Sequence, residues 1–157
     1  MPEGTMQYKK LTWGVKRSFR DYVKAAGGTI DISEGVSRND SGEFVFEAQT
    51  GGNFSVSLRG DASGSTIFRG SVEFVAHGGM LKATIAELGV ESGPEGPVLT
   101  MLEGPANENR CVVAKLIPLL DNSSESVTFN SEITLDGMFQ IADNYPPGTE
   151  MDPVSLE

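Results

Sequence analysis

From Thr29 onward the sequence is cut into short apolar runs, with glycine, asparagine, serine or proline in nearly every gap between them. The runs are Thr29-Ile-Asp-Ile, Glu43-Phe-Val-Phe, Asn53-Phe-Ser-Val-Ser-Leu, Thr66 to Val75, Met80 to Ile85, Val98 to Leu102, Arg110 to Ala114 and Val127 to Asn130. Most are too short to form a helix of ordinary length. Several alternate apolar with polar residues, which is the period of a half-buried strand. A chain patterned this way buries its apolar faces as a mainly β, largely antiparallel sandwich or barrel.

One segment reads differently. Leu11, Val15, Phe19 and Tyr22 with Val23 recur at the i, i+4, i+8 spacing of an amphipathic helix, with Thr12 as its N-cap and Gly27-Gly28 as its end. A short second helix is expected over Asp136 to Ala142, with Leu135 to Ile141 as its apolar face. No fixed repeat is apparent. Gly93 to Pro97 and Asp121 to Ser124 have the length of loops and not of linkers, so residues 1–157 are expected to form a single domain.

At 157 residues and 38% hydrophobic content the chain can bury one core. No apolar run approaches the roughly 20 residues that cross a bilayer, and Met1 to Lys10 lacks the apolar core of a secretory signal. As given, the chain is therefore expected to be soluble and cytoplasmic. If it is an excised domain of a longer protein, the cell surface is the alternative. The single cysteine, Cys111, cannot form an internal disulfide and sits in an apolar run as a core thiol.

A net charge of −10 argues against nucleic acid as a partner, because a phosphate backbone requires a concentrated basic surface. The charge is unevenly spread. Lys9, Lys10, Lys16, Arg17, Arg20 and Lys24 face only Glu3 and Asp21 among the first 24 residues, which leaves that stretch at +4 and the remainder at −14. Such asymmetry points either to a local anion site or to a solvated helix face.

Three places could carry chemistry. Ser18 and Tyr22 are four apart, so on a helix a hydroxyl and a phenol stand one turn above one another on the same face. His77, the only histidine, precedes Gly78-Gly79 at the end of an apolar run. Histidine is the residue type that titrates near neutral pH, although a lone one before two glycines also reads as a turn residue facing water. Tyr145 precedes the stiff Pro146-Pro147-Gly148 and reads equally as a loop-packing aromatic. There is no phosphate loop, Gly-x-Ser-x-Gly or His-Glu-x-x-His motif.

Leu11-Thr-Trp-Gly-Val-Lys-Arg-Ser-Phe-Arg-Asp-Tyr-Val23, then Gly70 to Ile85 with Ala-His-Gly-Gly at its centre, then Asp143-Asn-Tyr-Pro-Pro-Gly-Thr-Glu-Met-Asp-Pro-Val154 together resemble the HtaA-type haem-binding domain of Gram-positive haem-uptake systems. The resemblance spans roughly Leu11 to Leu156. It implies a non-enzymatic domain that binds ferric protoporphyrin IX without covalent attachment, in haem uptake, relay or storage, with other haem-relay proteins as partners.

The resemblance also implies residue roles. Tyr22 would be the axial ligand of the haem iron, a hard anionic oxygen suited to the ferric state. His77 would hydrogen-bond the ligand oxygen, Ser18 would reach a propionate, and Tyr145 would lie close to the haem face. The family's aromatic pair is broken here, since Asn144 stands in place of its first member. Trp13 is expected to be a packing residue, and Thr149 to Leu156 to match the family's closing pattern without chemistry of its own. Two other readings use the same pocket: a small-molecule enzyme of the isomerase or cyclase kind with Tyr22 and His77 as its acid–base pair, or a carrier of a hydrophobic metabolite.

Overall fold

The computed structural model describes residues 8–57, 59–104, 107–119, 126–141 and 144–157. Leu58, Asp121 to Ser124, Ala142 and Asp143, which the sequence placed in strand, loop or helix ends, lie outside the described residues. The elements in chain order are β1 (Lys10–Trp13), α1 (Arg17–Ala25), β2 (Thr29–Ile32), β3 (Val36–Arg38), β4 (Phe44–Glu47), β5 (Ser55–Val56), β6 (Ala62–Ser63), β7 (Ser65–Ile67) and β8 (Ser71–Ala76). After a short 3-10 turn at His77–Gly79 follow β9 (Leu81–Ala86), β10 (Gly89–Gly93), β11 (Gly96–Gly104), β12 (Asn107–Pro118), β13 (Val127–Ile133), α2 (Leu135–Gln140) and β14 (Glu150–Leu156).

The fold is mainly β and antiparallel, with two helices. Nine strands form one sheet in the order β3-β4-β1-β14-β13-β12-β11-β10-β7, and β2-β8-β9 form a second. The sheets stay open and do not close into a barrel. Side chains alternate across a strand, so register decides which residues meet on the buried face. Phe46, Leu11, Leu156 and Val127 fall into one cross-strand row, and Phe44, Trp13, Val154 and Phe129 into the next. All eight are buried, which settles Trp13 as a core residue. Phe74 of β8 joins the layers, its ring 5.7 Å from Phe44 of the large sheet and 5.0 Å from Phe19 of α1.

The first helix is shorter than its sequence suggests. Leu11 and Trp13 belong to β1, which hydrogen-bonds to β4 on one side and β14 on the other, and α1 begins only at Arg17. Two full ladders of backbone hydrogen bonds outweigh the helical spacing of Leu11 and Val15, and Thr12 therefore caps nothing. The chain turns from strand to helix through Gly14 and through Val15 at φ 65, a left-handed conformation that is rare for a β-branched residue. The amide of Asp152 donates to the Val15 carbonyl at 2.9 Å and holds the turn.

The expected run from Thr66 to Val75 is likewise two strands, separated at Gly70, whose φ of 96 lets the chain pass from one sheet to the other. β10 was not anticipated. It pairs with β7 and, through a tight hairpin, with β11.

A tyrosine and histidine pair beside an apolar groove

Helix α1 buries Phe19 and Val23 and carries Tyr22 on its outer side, 48% exposed. The helix has no cap of its own at Lys16. Asp152 of β14 supplies one from far along the chain. Its Oδ1 accepts from the Arg17 amide at 3.1 Å and its Oδ2 from Arg20 Nη1 at 2.6 Å, while Arg20 also donates to the Gly14 carbonyl at 2.7 Å. The Asp152 carbonyl in turn accepts from Trp13 Nε1 at 2.9 Å and from the Ser131 hydroxyl at 2.7 Å. A Cβ at Gly14 would fall on the Arg20–Asp152 pair, so glycine is required there by space and not by backbone angle.

At the far end of α1, a Cβ on Gly28 would strike the Val75 carbonyl, so only glycine lets the helix exit pass this close to β8. The pairing of Thr29 with Val75 then fixes where β8 ends relative to α1. His77 follows in the loop that joins β8 to β9, bracketed by the pair Ala76 and Leu81. His77, Gly78 and Gly79 all have positive φ, at 53, 67 and 97. Left-handed backbone at a non-glycine residue is a local cost that recurs at functional positions. Here it accompanies an imidazole turned onto Tyr22. The Tyr22 hydroxyl and His77 Nε2 are 2.5 Å apart, with ring centroids at 5.6 Å.

Ser18, one turn back on α1, makes a separate contact with the C-terminal loop, its hydroxyl 2.7 Å from that of Tyr145. The Tyr145 ring lies edge-on to Phe19 at 6.5 Å and beneath the Lys16 ammonium at 5.7 Å. The structure thus places the four residues in two separate hydrogen-bonded pairs, each with one member on α1.

Tyr22 and His77 open onto a groove of ≈ 660 Å³. α1 contributes Phe19, the β8–β9 loop Met80, β9 Leu81 and Lys82, and α2 Phe139 and Gln140, with Ile141 just past its end and Asn144 at the C-terminal side. Polar and apolar side chains share the lining about equally, so the groove can hold an amphipathic molecule and orient it by polar groups. The residues fit a haem: apolar side chains to meet the ring, a phenol oxygen able to hold ferric iron, and an imidazole in hydrogen-bonding reach of that oxygen.

A second cleft, of ≈ 530 Å³, lies on the other side of α1. Arg17, Arg20, Lys24 and Arg38 line it, but so do Asp21, Asp40, Glu43 and Asp152, so the basic N-terminal stretch is offset by acids and presents no concentrated anion site. Cys111 is buried, and burial pushes its thiol up, with Asp136 and Glu103 adding to the shift.

Three residues were not legible as site residues. Asp152 was expected to carry no role, yet it anchors α1. Met80 and Phe139 were assigned to strand and helix, and both stand in the groove. An apolar residue immediately after His-Gly-Gly was the available signal for Met80. Asp152 is 132 positions from Arg20, beyond the reach of any local pattern.

The HtaA family model (Htaa) matches residues 8–157 of the chain. Two solved structures from Corynebacterium glutamicum are similar throughout. The C-terminal domain of HtaA is 28% identical with a TM-score of 0.76, over 97% of this chain and 96% of that one. The N-terminal domain of HtaA is 23% identical with a TM-score of 0.75, over 97% of each chain. The haem-binding protein HtaB of the same organism shares the fold at 16% identity and a TM-score of 0.66, over 95% of this chain and 91% of that one. No curated protein sequence matches significantly.

Proposed function

Because the chain belongs to the HtaA family, we propose that it binds haem non-covalently in the Tyr22–His77 groove, with the Tyr22 oxygen on ferric iron, and serves in haem uptake, relay or storage. The observation that carries this reading is the 2.5 Å contact between the Tyr22 hydroxyl and His77 Nε2 at the mouth of an apolar groove. HtaB, which shares the fold, is a haem-binding protein.

The pair explains how a phenol can serve as ligand at neutral pH. A phenol in water keeps its proton until about pH 10. In the free protein the Tyr22 O–H can donate to an unprotonated Nε2. Were a ferric haem held there by Tyr22, His77 Nε2 would be placed to take the phenol proton and to donate a hydrogen bond to the phenolate oxygen. Bound haem supplies the ferric centre that stabilises this anion. Ser18 on the adjoining turn of α1 and Tyr145 in the C-terminal loop orient the porphyrin from beside the groove.

Titration of the chain with haemin tests the reading. A tyrosinate-type absorption spectrum is expected, and Tyr22→Ala should remove most of it. A variant spectrum and affinity matching the parent's would place the iron elsewhere. A parent that produces no spectral change would leave the Tyr22–His77 pair to acid–base chemistry on another small molecule.

A further inference from the structure

Phe139 and Met80 are the most exposed large apolar side chains among the described residues, at 68% and 92%, and both line the groove. A phenylalanine left this open to water retains most of its burial energy for whatever covers it. Phe139 is not exposed through looseness of its element. α2 is fixed at its start by Thr134, whose hydroxyl accepts from the Gly137 amide at 3.0 Å and donates to the Val112 carbonyl at 2.5 Å. Gly137 is buried so tightly against β12 that a Cβ would strike the Val113 carbonyl. Phe139, two residues on and about 200° around the helix, is consequently on the far side from the sheet. The benzene ring belongs to a wall that exists before any ligand arrives.

The groove's polar groups narrow the occupant further. Among the described residues its lining holds one cation, Lys82, whose ammonium lies 3.6 Å from the Glu73 carboxylate, and no acid. An apolar plate carrying carboxylates at its edge fits that combination, and the thioether of Met80 packs favourably against an aromatic face.

We infer that Phe139 and Met80 grip the tetrapyrrole ring itself, so that the groove takes a flat porphyrin dicarboxylate whether or not a metal sits at its centre. The inference rests on the haem reading above and adds to it two positioning residues and a wider ligand class. Iron ligation by Tyr22 then supplements a grip that the apolar walls already provide.

The test titrates the full chain in parallel with haemin and with metal-free protoporphyrin, following absorption for the first and porphyrin fluorescence for the second. The parent should bind both. Phe139→Ala should weaken both by about tenfold or more, as expected for losing a buried phenyl ring. Phe139→Tyr should restore affinity to within about threefold, and Met80→Ser should weaken both ligands by about fivefold. Haemin binding without metal-free binding, or a Phe139→Ala variant that holds both ligands as the parent does, would overturn the grip and leave the haem reading standing. A parent that binds neither would overturn the haem reading and the grip with it.

Discussion

The Asp152 carboxylate accepts hydrogen bonds from both the Arg17 amide and the buried Arg20 guanidinium, and so fastens the start of the tyrosine-bearing helix to the closing strand. Arg20 is 6% exposed, while the Asp152 side chain, 18% exposed, borders the cleft beside α1, so the pair is partly buried with its cation on the inner side.

Removing one partner of such a pair strands the other. Asp152→Ala should cost about 3–5 kcal/mol in urea unfolding, the range for an uncompensated buried charge. Arg20→Met with Asp152→Leu, which removes both charges, should cost markedly less than Asp152→Ala alone. Equal losses would mean that burial of an unpaired charge is not the cause.

The Ser18–Tyr145 contact is a single neutral hydrogen bond at an exposed position. Ser18→Ala and Tyr145→Phe should each cost about 0.5–1.5 kcal/mol, and the double variant little more than either. Additive losses in thermal unfolding would show that the two hydroxyls act on different partners.

His77 is exposed, so His77→Ala should leave stability nearly unchanged while haem leaves faster. A lost charge-assisted bond of roughly 1.5–3 kcal/mol corresponds to about tenfold to hundredfold in off-rate, measurable by transfer to an apo-globin scavenger. His77→Gly, which relieves the left-handed backbone, should release haem at the same rate as the alanine variant. A glycine variant that behaves like the parent would trace the effect to the backbone.

Burial holds the Cys111 thiol above its ordinary pKa, so the folded state resists ionisation that the unfolded chain undergoes. The stability this contributes is fully present below about pH 8.5, where an unfolded thiol is protonated, and is lost as pH rises from there through the folded value. Comparison with Cys111→Ala isolates it: the parent's stability relative to the variant should fall between pH 8 and 10. A flat difference would contradict the raised pKa.

Much of the fold was legible in the sequence because strand identity is written in short alternations that survive in any context. Thr29–Ile32 falls where the alternation put it, and the run expected over Val127 to Asn130 is the start of a strand that continues to Ile133. Leu11 to Val15 was not legible. Leu11 and Val15 satisfy a helical spacing while Leu11 and Trp13 satisfy a strand spacing, and only the two flanking strands decide between them. The second helix illustrates the same limit. Its apolar face was expected to be the buried one, whereas Gly137 lies against the sheet and Leu135 and Phe139 face outward. A glycine carries no hydropathy signal, so the close approach it permits is invisible until β12 is in place. At the site, Ser18, Tyr22, His77 and Tyr145 could be named from the family motifs, but their division into two pairs depends on how β8 and the C-terminal loop meet α1.

The placement of β1 between β4 and β14 has a bearing on how the molecule is made. A ribosome delivers Tyr22 early, yet the carboxylate that fixes its helix and the strand that completes the β1 ladder arrive more than a hundred residues later. Until then β1 has one unpaired edge and Arg20 lacks its counterion. Closure over so long a loop is slow, because chain entropy is lost before the contact repays it. The nascent chain can hold its helix and hairpins in outline, but the fixed placement of that helix is among the last features to mature.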